Sequence, residues 1–193
     1  MRRRRNTTRF VLLLVFVPFL WPANGSSESI NTQKSSITVH VFKTGVFSVF
    51  GHNHEINAPI QQGTVSQQNK SVQFVVDAGN MQVMDKDVSD SDRAQIHKTM
   101  LGPEVLDVEK YPEIIFRSTE AEQLGPDKWS VQGHLTIRGN TRPVTVTVTA
   151  REGHYRGGTE IKQKDFGIIP VSAGGGTVKT KNEMRVDFDI STD

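Results

Sequence analysis

The chain has 193 residues, with 23 lysine and arginine residues against 21 aspartate and glutamate residues, and no cysteine. This length predicts one medium-sized domain. The absence of cysteine excludes disulfides, thiol chemistry, a lipoprotein anchor and cysteine-ligated metal sites.

The first 25 residues have the three parts of a secretory signal peptide. A basic run, Arg2–Arg5, precedes the apolar stretch Phe10–Trp21, which is short for a membrane-spanning helix. Ala23 and Gly25 are the small residues of a cleavage site. We therefore expect an exported protein, periplasmic or secreted, with no transmembrane span after cleavage.

Cleavage after residue 25 would change the sign of the net charge. The removed segment contains five arginines and no acidic residue, so 18 basic groups remain against 21 acidic ones, a net charge of −3. This balance gives no electrostatic case for binding nucleic acid or anionic membrane surfaces.

Residues 26–35 are polar and predict a flexible lead-in to one domain over residues 36–193. Apolar and polar residues then alternate with the period of two that is typical of half-buried strands. The alternating segments are Ile37–Phe42, Val72–Asp77, Ile114–Arg117, Trp129–Arg138, Val144–Thr149 and Met184–Ile190. Turn signals separate them, so the pattern predicts an antiparallel sheet, and about eight such strands can close into a barrel.

One segment, "SDSDRAQIHKTMLGP", interrupts this pattern and predicts a single inserted helix. Asp90 or a neighbouring serine or aspartate is the candidate N-cap, and Gly102-Pro103 is the stop signal. One predicted face combines apolar residues with an arginine and a histidine: Arg93, Ala94, Ile96, His97, Met100 and Leu101. The helix is expected to pack across the sheet or to cap one end of the barrel.

The stretch "GHNHEI" places His52, His54 and Ile56 on one face of a strand. Two imidazoles on one face are half of a zinc- or copper-type site, and His97 is the best candidate for a third ligand. Three interpretations remain open: hydrogen bonds to a buried backbone group or carboxylate, contact with the head-group of a ligand, and metal binding.

The last strand carries a polarity gradient. Alternation places Thr180 and Asn182 on the same face as Met184 and Val186. An amphipathic ligand requires such a gradient, because buried polar groups must find partners. The aromatic residues of other strands, Phe74 and Phe116 among them, either line a cavity or fill a solid core.

Four segments resemble the YceI-like proteins. They are "VLDVEKYPEIIFRST" (Val105–Thr119), "WSVQGHLTIRGNTRPVTVTV" (Trp129–Val148), "KQKDFGI" (Lys162–Ile168) and "EMRVDFDI" (Glu183–Ile190). The resemblance implies an extended antiparallel lipocalin-like β-barrel whose apolar interior holds a polyisoprenoid or a similar long-chain lipid. It also implies export, and it supplies no catalytic residues.

We therefore expect an exported protein that sequesters or carries a long-chain amphipathic lipid, with the oligomeric state left open, a dimer included. The predicted ligand-binding residues are His52, His54, Ile56, Phe74, Arg93, Ile96, His97, Met100, Phe116, Thr180, Asn182, Met184 and Val186. The alternative is a metal-binding barrel, or a metal-dependent enzyme, centred on His52, His54 and His97. A third hypothesis is a structural envelope protein with a solid core.

Overall fold

The computed structural model describes residues 27–45, 53–173 and 178–193. Within them, twelve strands and one α-helix form. The strands are β1 (Glu28–Ser29), β2 (Ser36–Thr44), β3 (His54–Asn57), β4 (Ile60–Ser66), β5 (Ser71–Asp77), β6 (Gln82–Val83), β7 (Glu113–Gln123), β8 (Lys128–Ile137), β9 (Asn140–Arg151), β10 (His154–Lys162), β11 (Ser172–Ala173) and β12 (Val178–Ser191). The α-helix, α1 (Asp90–Leu101), lies between β6 and β7, and 3-10 turns span Ala78–Asn80 and Gln163–Phe166.

All strand pairs are antiparallel, in the order β1-β4-β5-β7-β8-β9-β10-β12-β2-β3-β6, with β11 beside β12. β3 and β4 are consecutive in the chain but lie near opposite ends of the strand order, since β3 pairs with β2 and β4 pairs with β5. The short link between them brings the two ends of the sheet together, so the sheet curls. Across the link between them, the Ala58 amide donates to the Ile37 carbonyl and the Asp77 amide donates to the Pro59 carbonyl. These pairings confirm the predicted mainly-β antiparallel barrel with one inserted helix.

The predicted count of about eight strands is too low. β1, β6 and β11 have two residues each, which is too short for alternation to reveal. In addition, the bend at Ala58-Pro59 divides one long strand into β3 and β4, because proline cannot donate to a strand ladder.

Two tight hairpins set the register of the central strands. β8 and β9 are joined by Arg138 and Gly139 at φ 50° and 71°, and β9 and β10 by Glu152 and Gly153 at φ 52° and 74°. Two consecutive positive φ values define the type I′ turn, whose twist matches that of the flanking strands. The turn signal "RGNTRP" therefore marks a real hairpin.

The helix α1 begins after Ser89, whose side chain accepts a hydrogen bond from the Asp92 amide at 3.1 Å, and it ends at Gly102. Met100 is buried, and Arg93, Ile96, His97 and Leu101 are half-buried. This is the predicted face with one difference: Ala94 is exposed. Just after α1, the Pro103 carbonyl accepts a hydrogen bond at 2.6 Å from Arg138 in the β8–β9 turn, so the helix lies at that end of the barrel and caps it.

The segment expected to be a flexible lead-in takes part in the sheet. β1 pairs with β4, and Ile30, only 5% exposed, forms a bridge with Thr192. The Asn31 amide also donates to the Ser191 carbonyl at 2.8 Å. The polar composition conceals this role, because a single apolar side chain fastens the segment. Residues 1–26, with the predicted signal peptide, lie outside the described residues, and none of the described helices is long and apolar enough to cross a membrane.

Candidate functional site

The inward faces of the strands enclose a cavity of about 490 Å³. Its walls are formed by aliphatic and aromatic side chains, among them Val39, Val72, Phe74, Val76, Phe116, Trp129, Val131, Val144, Val146, Val148, Ile161, Val186 and Phe188. This volume lies within the range of about 300–1,000 Å³ that is typical of small-molecule sites. The apolar faces of the predicted strands therefore surround a cavity instead of filling a solid core.

Glycines and aromatic rings together shape the wall. Phe74 and Phe116 stack across β5 and β7 with ring centroids 5.4 Å apart. A Cβ atom added to Gly133 would come within 2.6 Å of the Phe116 ring, and one added to Gly157 within 2.9 Å of the Phe188 ring. Because no side chain occupies these two positions, the rings lie close to the wall.

One end of the cavity, which we call the mouth, is polar. The turn between β4 and β5 and the turn between β9 and β10 both contribute to the lining there. The Gln67 amide donates from Nε2 to the Tyr155 hydroxyl at 3.1 Å, and the Lys70 ammonium lies 5.8 Å from the centroid of the Trp129 ring. Burial raises the pKa of Tyr155, which keeps its phenol neutral and able to donate a hydrogen bond.

The opposite end, which we call the closed end, is packed. Met100 from α1, Phe166 from the second 3-10 turn, Ile168 just after that turn and Met184 from β12 are buried there. The helix end of the barrel is thus filled with side chains, and most of the polar residues that line the cavity lie at the mouth.

His54 and Arg93 meet at Asp85. The Asp85 carboxylate contacts His54 Nδ1 at 2.6 Å and accepts a hydrogen bond from the Glu55 amide at 2.8 Å. Arg93 donates from Nε to the Asp85 carbonyl at 2.9 Å, and its other nitrogens contact Asp90 and the backbone. These contacts join β3, the segment after β6 and α1. Contact with a buried carboxylate is one of the three interpretations that the sequence left open for His54.

The predicted histidine triad stays a prediction. His52 lies outside the described residues, and in the part of the chain that the structure describes, no group of three or more histidine, aspartate or glutamate residues could hold a metal. His97 Nε2 is buried without a hydrogen-bond partner among these residues.

The other predicted site residues divide between the cavity and the packed regions. Phe74, Phe116 and Val186 line the cavity. Ile56, Met100 and Met184 are buried in the core, and Ile96 packs against it. Near the closed end, Thr180 Oγ1 contacts Gln163 Nε2 at 3.4 Å, and Asn182 Oδ1 accepts from the Lys164 amide at 3.0 Å.

The mouth residues Gln67, Lys70 and Tyr155 were missed from the sequence. Gln67 and Lys70 lie in a turn, where alternation carries no information about direction. Tyr155 shares an inward face with Ile161, but Gly157 interrupts that face and weakens the period-two signal.

Comparison with known proteins identifies the fold and its relatives. A family model described as "YceI-like domain" matches residues 29–192. A "UPF0312 protein" from Azotobacter vinelandii is 34% identical over 89 residues, and one from Yersinia pestis (strain Pestoides F) is 40% identical over 89 residues. Each match covers 41% of this chain and 46% of the relative, so the chain spans about half the length of the curated relatives it matches.

Two solved structures share the architecture. BcnA from Burkholderia cenocepacia superposes with a TM-score of 0.61 and 21% identity, over 83% of this chain and 98% of that protein. The YceI protein of Campylobacter jejuni gives a TM-score of 0.52 and 12% identity, over 100% of this chain and 99% of that one. At these identities the likeness establishes the fold alone.

Proposed function

The chain belongs to the YceI-like family, and we propose that it is an exported protein that sequesters or carries a polyisoprenoid or a similar long-chain amphipathic lipid inside its barrel. The fold supports the broader description, a lipocalin-like binding barrel. Its work is to remove an apolar chain from water.

The observation that carries the proposal is the apolar cavity of about 490 Å³. Each methylene group that moves from water into such a space contributes about 0.8 kcal/mol. The mouth offers Gln67, Lys70 and Tyr155 to the polar end of the ligand, while the walls offer mainly apolar contacts to its chain. This polarity favours an amphipathic ligand that enters chain first.

The direct test is the lipid content of the purified protein. We expect organic extraction of detergent-free protein, followed by mass spectrometry, to release a long-chain lipid in near-stoichiometric amount, and native mass spectrometry to show the same added mass. Folded protein that yields no lipid and takes up none from vesicles would contradict the proposal.

A substitution that fills the cavity gives a more specific test of the same proposal. Val146 points into the cavity from β9, and its neighbour Thr145 points outward. We expect Val146→Trp to reduce the bound lipid at least about tenfold, because the indole occupies the space of the chain. Thr145→Trp on the same strand is the control, and circular dichroism checks that both variants fold. Equal lipid content in the two variants would place the ligand elsewhere.

Export is a separate part of the proposal. It is supported by the basic, apolar and small-residue sections of residues 1–25. We expect protein expressed in a Gram-negative host to be recovered from the periplasm with Ser26 as its first residue, which intact-mass measurement detects. Recovery of the full-length chain from the cytoplasm would exclude processing.

The alternative function, a histidine-based metal site, stays a prediction, and one contact favours it. A carboxylate on His54 Nδ1 leaves Nε2 as the free nitrogen, which is the usual arrangement of a metal-binding histidine. Elemental analysis of protein purified without a histidine tag tests this function. Stoichiometric zinc, copper or iron that is lost in His52→Ala would support it, and metal-free protein would remove it.

A further inference from the structure

Three lysines surround an exposed apolar side chain at the closed end of the barrel. Lys164 lies in the 3-10 turn after β10, and Lys179 and Lys181 lie at the start of β12. Beside them are Ile169, which is 79% exposed, and Pro170. We call these five residues the lysine patch.

The fold brings the members of the lysine patch together from separate elements. Lys179 pairs with Ser172 in β11, which holds the segment containing Ile169 and Pro170 against β12. The backbone amide of Lys164 donates to Asn182 Oδ1 at 3.0 Å, which fixes the 3-10 turn beside the same strand. The patch is therefore one surface and not a run of neighbours in sequence.

The positive charge of the patch is largely uncompensated. Among the described residues, Lys164, Lys179 and Lys181 make no salt bridge. The segment 162–183 contains four lysines and two acidic residues, and of these acids only Glu183 lines the same groove as the three lysines. The chain after residue 25 carries −3, so the lysine patch has the opposite sign to the whole.

We propose that the lysine patch docks the barrel onto an anionic membrane surface. The lysine ammonium groups would meet lipid phosphates, while Ile169 and Pro170 would enter the interface between head-groups and acyl chains. Cations around a single protruding apolar side chain suit this partner, because the aliphatic stems of lysine also take part in interfacial burial.

Docking by the closed end leaves the mouth free, since the two lie at opposite ends of the barrel. β12 shows the separation: Lys179 is at its beginning, and Ile190, which lines the cavity, is near its end. Membrane docking and ligand binding are thus separable, and this inference does not rest on the identity of the ligand.

Vesicle co-sedimentation of the purified protein tests the proposal. We expect binding to vesicles of phosphatidylcholine mixed with phosphatidylglycerol, weak binding to phosphatidylcholine alone, and a decrease as salt is added. Since each lysine near such a surface is worth about fivefold in partitioning, the double change Lys179→Gln/Lys181→Gln should weaken binding about twenty-five-fold. Extraction of the same variant should show unchanged lipid content.

Matched changes at the mouth end serve as controls. Lys34 and Lys128 are exposed lysines at that end, and Leu124, 54% exposed, is its protruding apolar residue. We expect Lys34→Gln/Lys128→Gln and Leu124→Ser to bind as the parent does, while Ile169→Ser weakens binding severalfold.

Three results would overturn the proposal. Equal binding to neutral and anionic vesicles would remove the electrostatic basis. An equal or larger loss in the mouth-end variants would assign docking to the other end. Full binding by Ile169→Ser, together with equally tight binding to a soluble polyanion such as heparin, would show charge attraction without insertion.

Discussion

At the scale of single residues, the cavity depends on positions where a side chain is missing. Gly157 on β10 faces the Phe188 ring, and a Cβ atom there would lie 2.1 Å from the Thr147 carbonyl oxygen. Two non-bonded atoms cannot approach so closely. The carbonyl belongs to the backbone of a paired strand, so it cannot rotate away. The glycine therefore holds β9, β10 and the aromatic wall at their observed spacing.

Gly157→Ala should consequently destabilise the barrel. We expect a loss of about 1–3 kcal/mol in the free energy of unfolding, the usual cost of overpacking a well-packed site. Urea denaturation followed by tryptophan fluorescence measures it. Gly125→Ala is the control, because its added Cβ would meet nothing closer than 3.9 Å. Equal stability of the two variants would refute this role for Gly157.

At the scale of secondary-structure elements, Asp85 connects α1 to the sheet. Its carboxylate is bonded to His54 and to the Glu55 amide in β3, and its carbonyl accepts from Arg93 in α1. The side chain is 4% exposed, so these partners replace the water that the carboxylate would otherwise bind. The cap over the closed end is therefore held by polar contacts as well as by apolar packing.

Asp85→Ala should loosen this junction. We expect a loss of about 2–3 kcal/mol, because the substitution removes charge-assisted hydrogen bonds to His54 and to the Glu55 amide. The rate of amide hydrogen exchange should increase first in α1. Asp87→Ala, two residues along and exposed, should stay within about 0.5 kcal/mol of the parent. A loss in Asp87→Ala as large as that in Asp85→Ala would contradict this account.

At the scale of the whole molecule, closure of the barrel depends on residues distant in sequence. Ile30 fills the space between β4 and the end of β12, beside Gly63 and opposite Thr192. The segment around Ile30 and the end of β12 thus join the first and last described parts of the domain. Contacts of such long sequence separation form only after loops have closed at an entropic cost.

Ile30→Ala tests this closure. We expect a loss of about 2–5 kcal/mol, typical of a cavity-forming change at a buried isoleucine. Ile169→Ala makes the same chemical change at a side chain that is 79% exposed, and it should stay within about 0.5 kcal/mol of the parent. Thermal unfolding of both variants separates the two cases, and similar midpoints would show that the N-terminal segment does not stabilise the domain.

Much of the fold is predictable because its signals are local. Alternation in segments such as Val144–Thr149 gives antiparallel strands, and Gly102-Pro103 ends the helix. The two-residue strands and the division at Ala58-Pro59 escape prediction because they carry no period of their own. Of the predicted site, Phe74, Phe116 and Val186 line the cavity, since a strand's inward face is a local property.

By itself, the sequence determined the fold class, the single helix and the apolar inward faces, because each follows from the spacing of neighbouring residues. Only the tertiary structure decided which end of the barrel is filled and which is polar, because that depends on where α1 and the hairpin turns meet the sheet. It also decided that Lys164, Lys179 and Lys181 share one surface. The net charge concealed that surface, since a sum over residues contains no information about which charges the fold brings together.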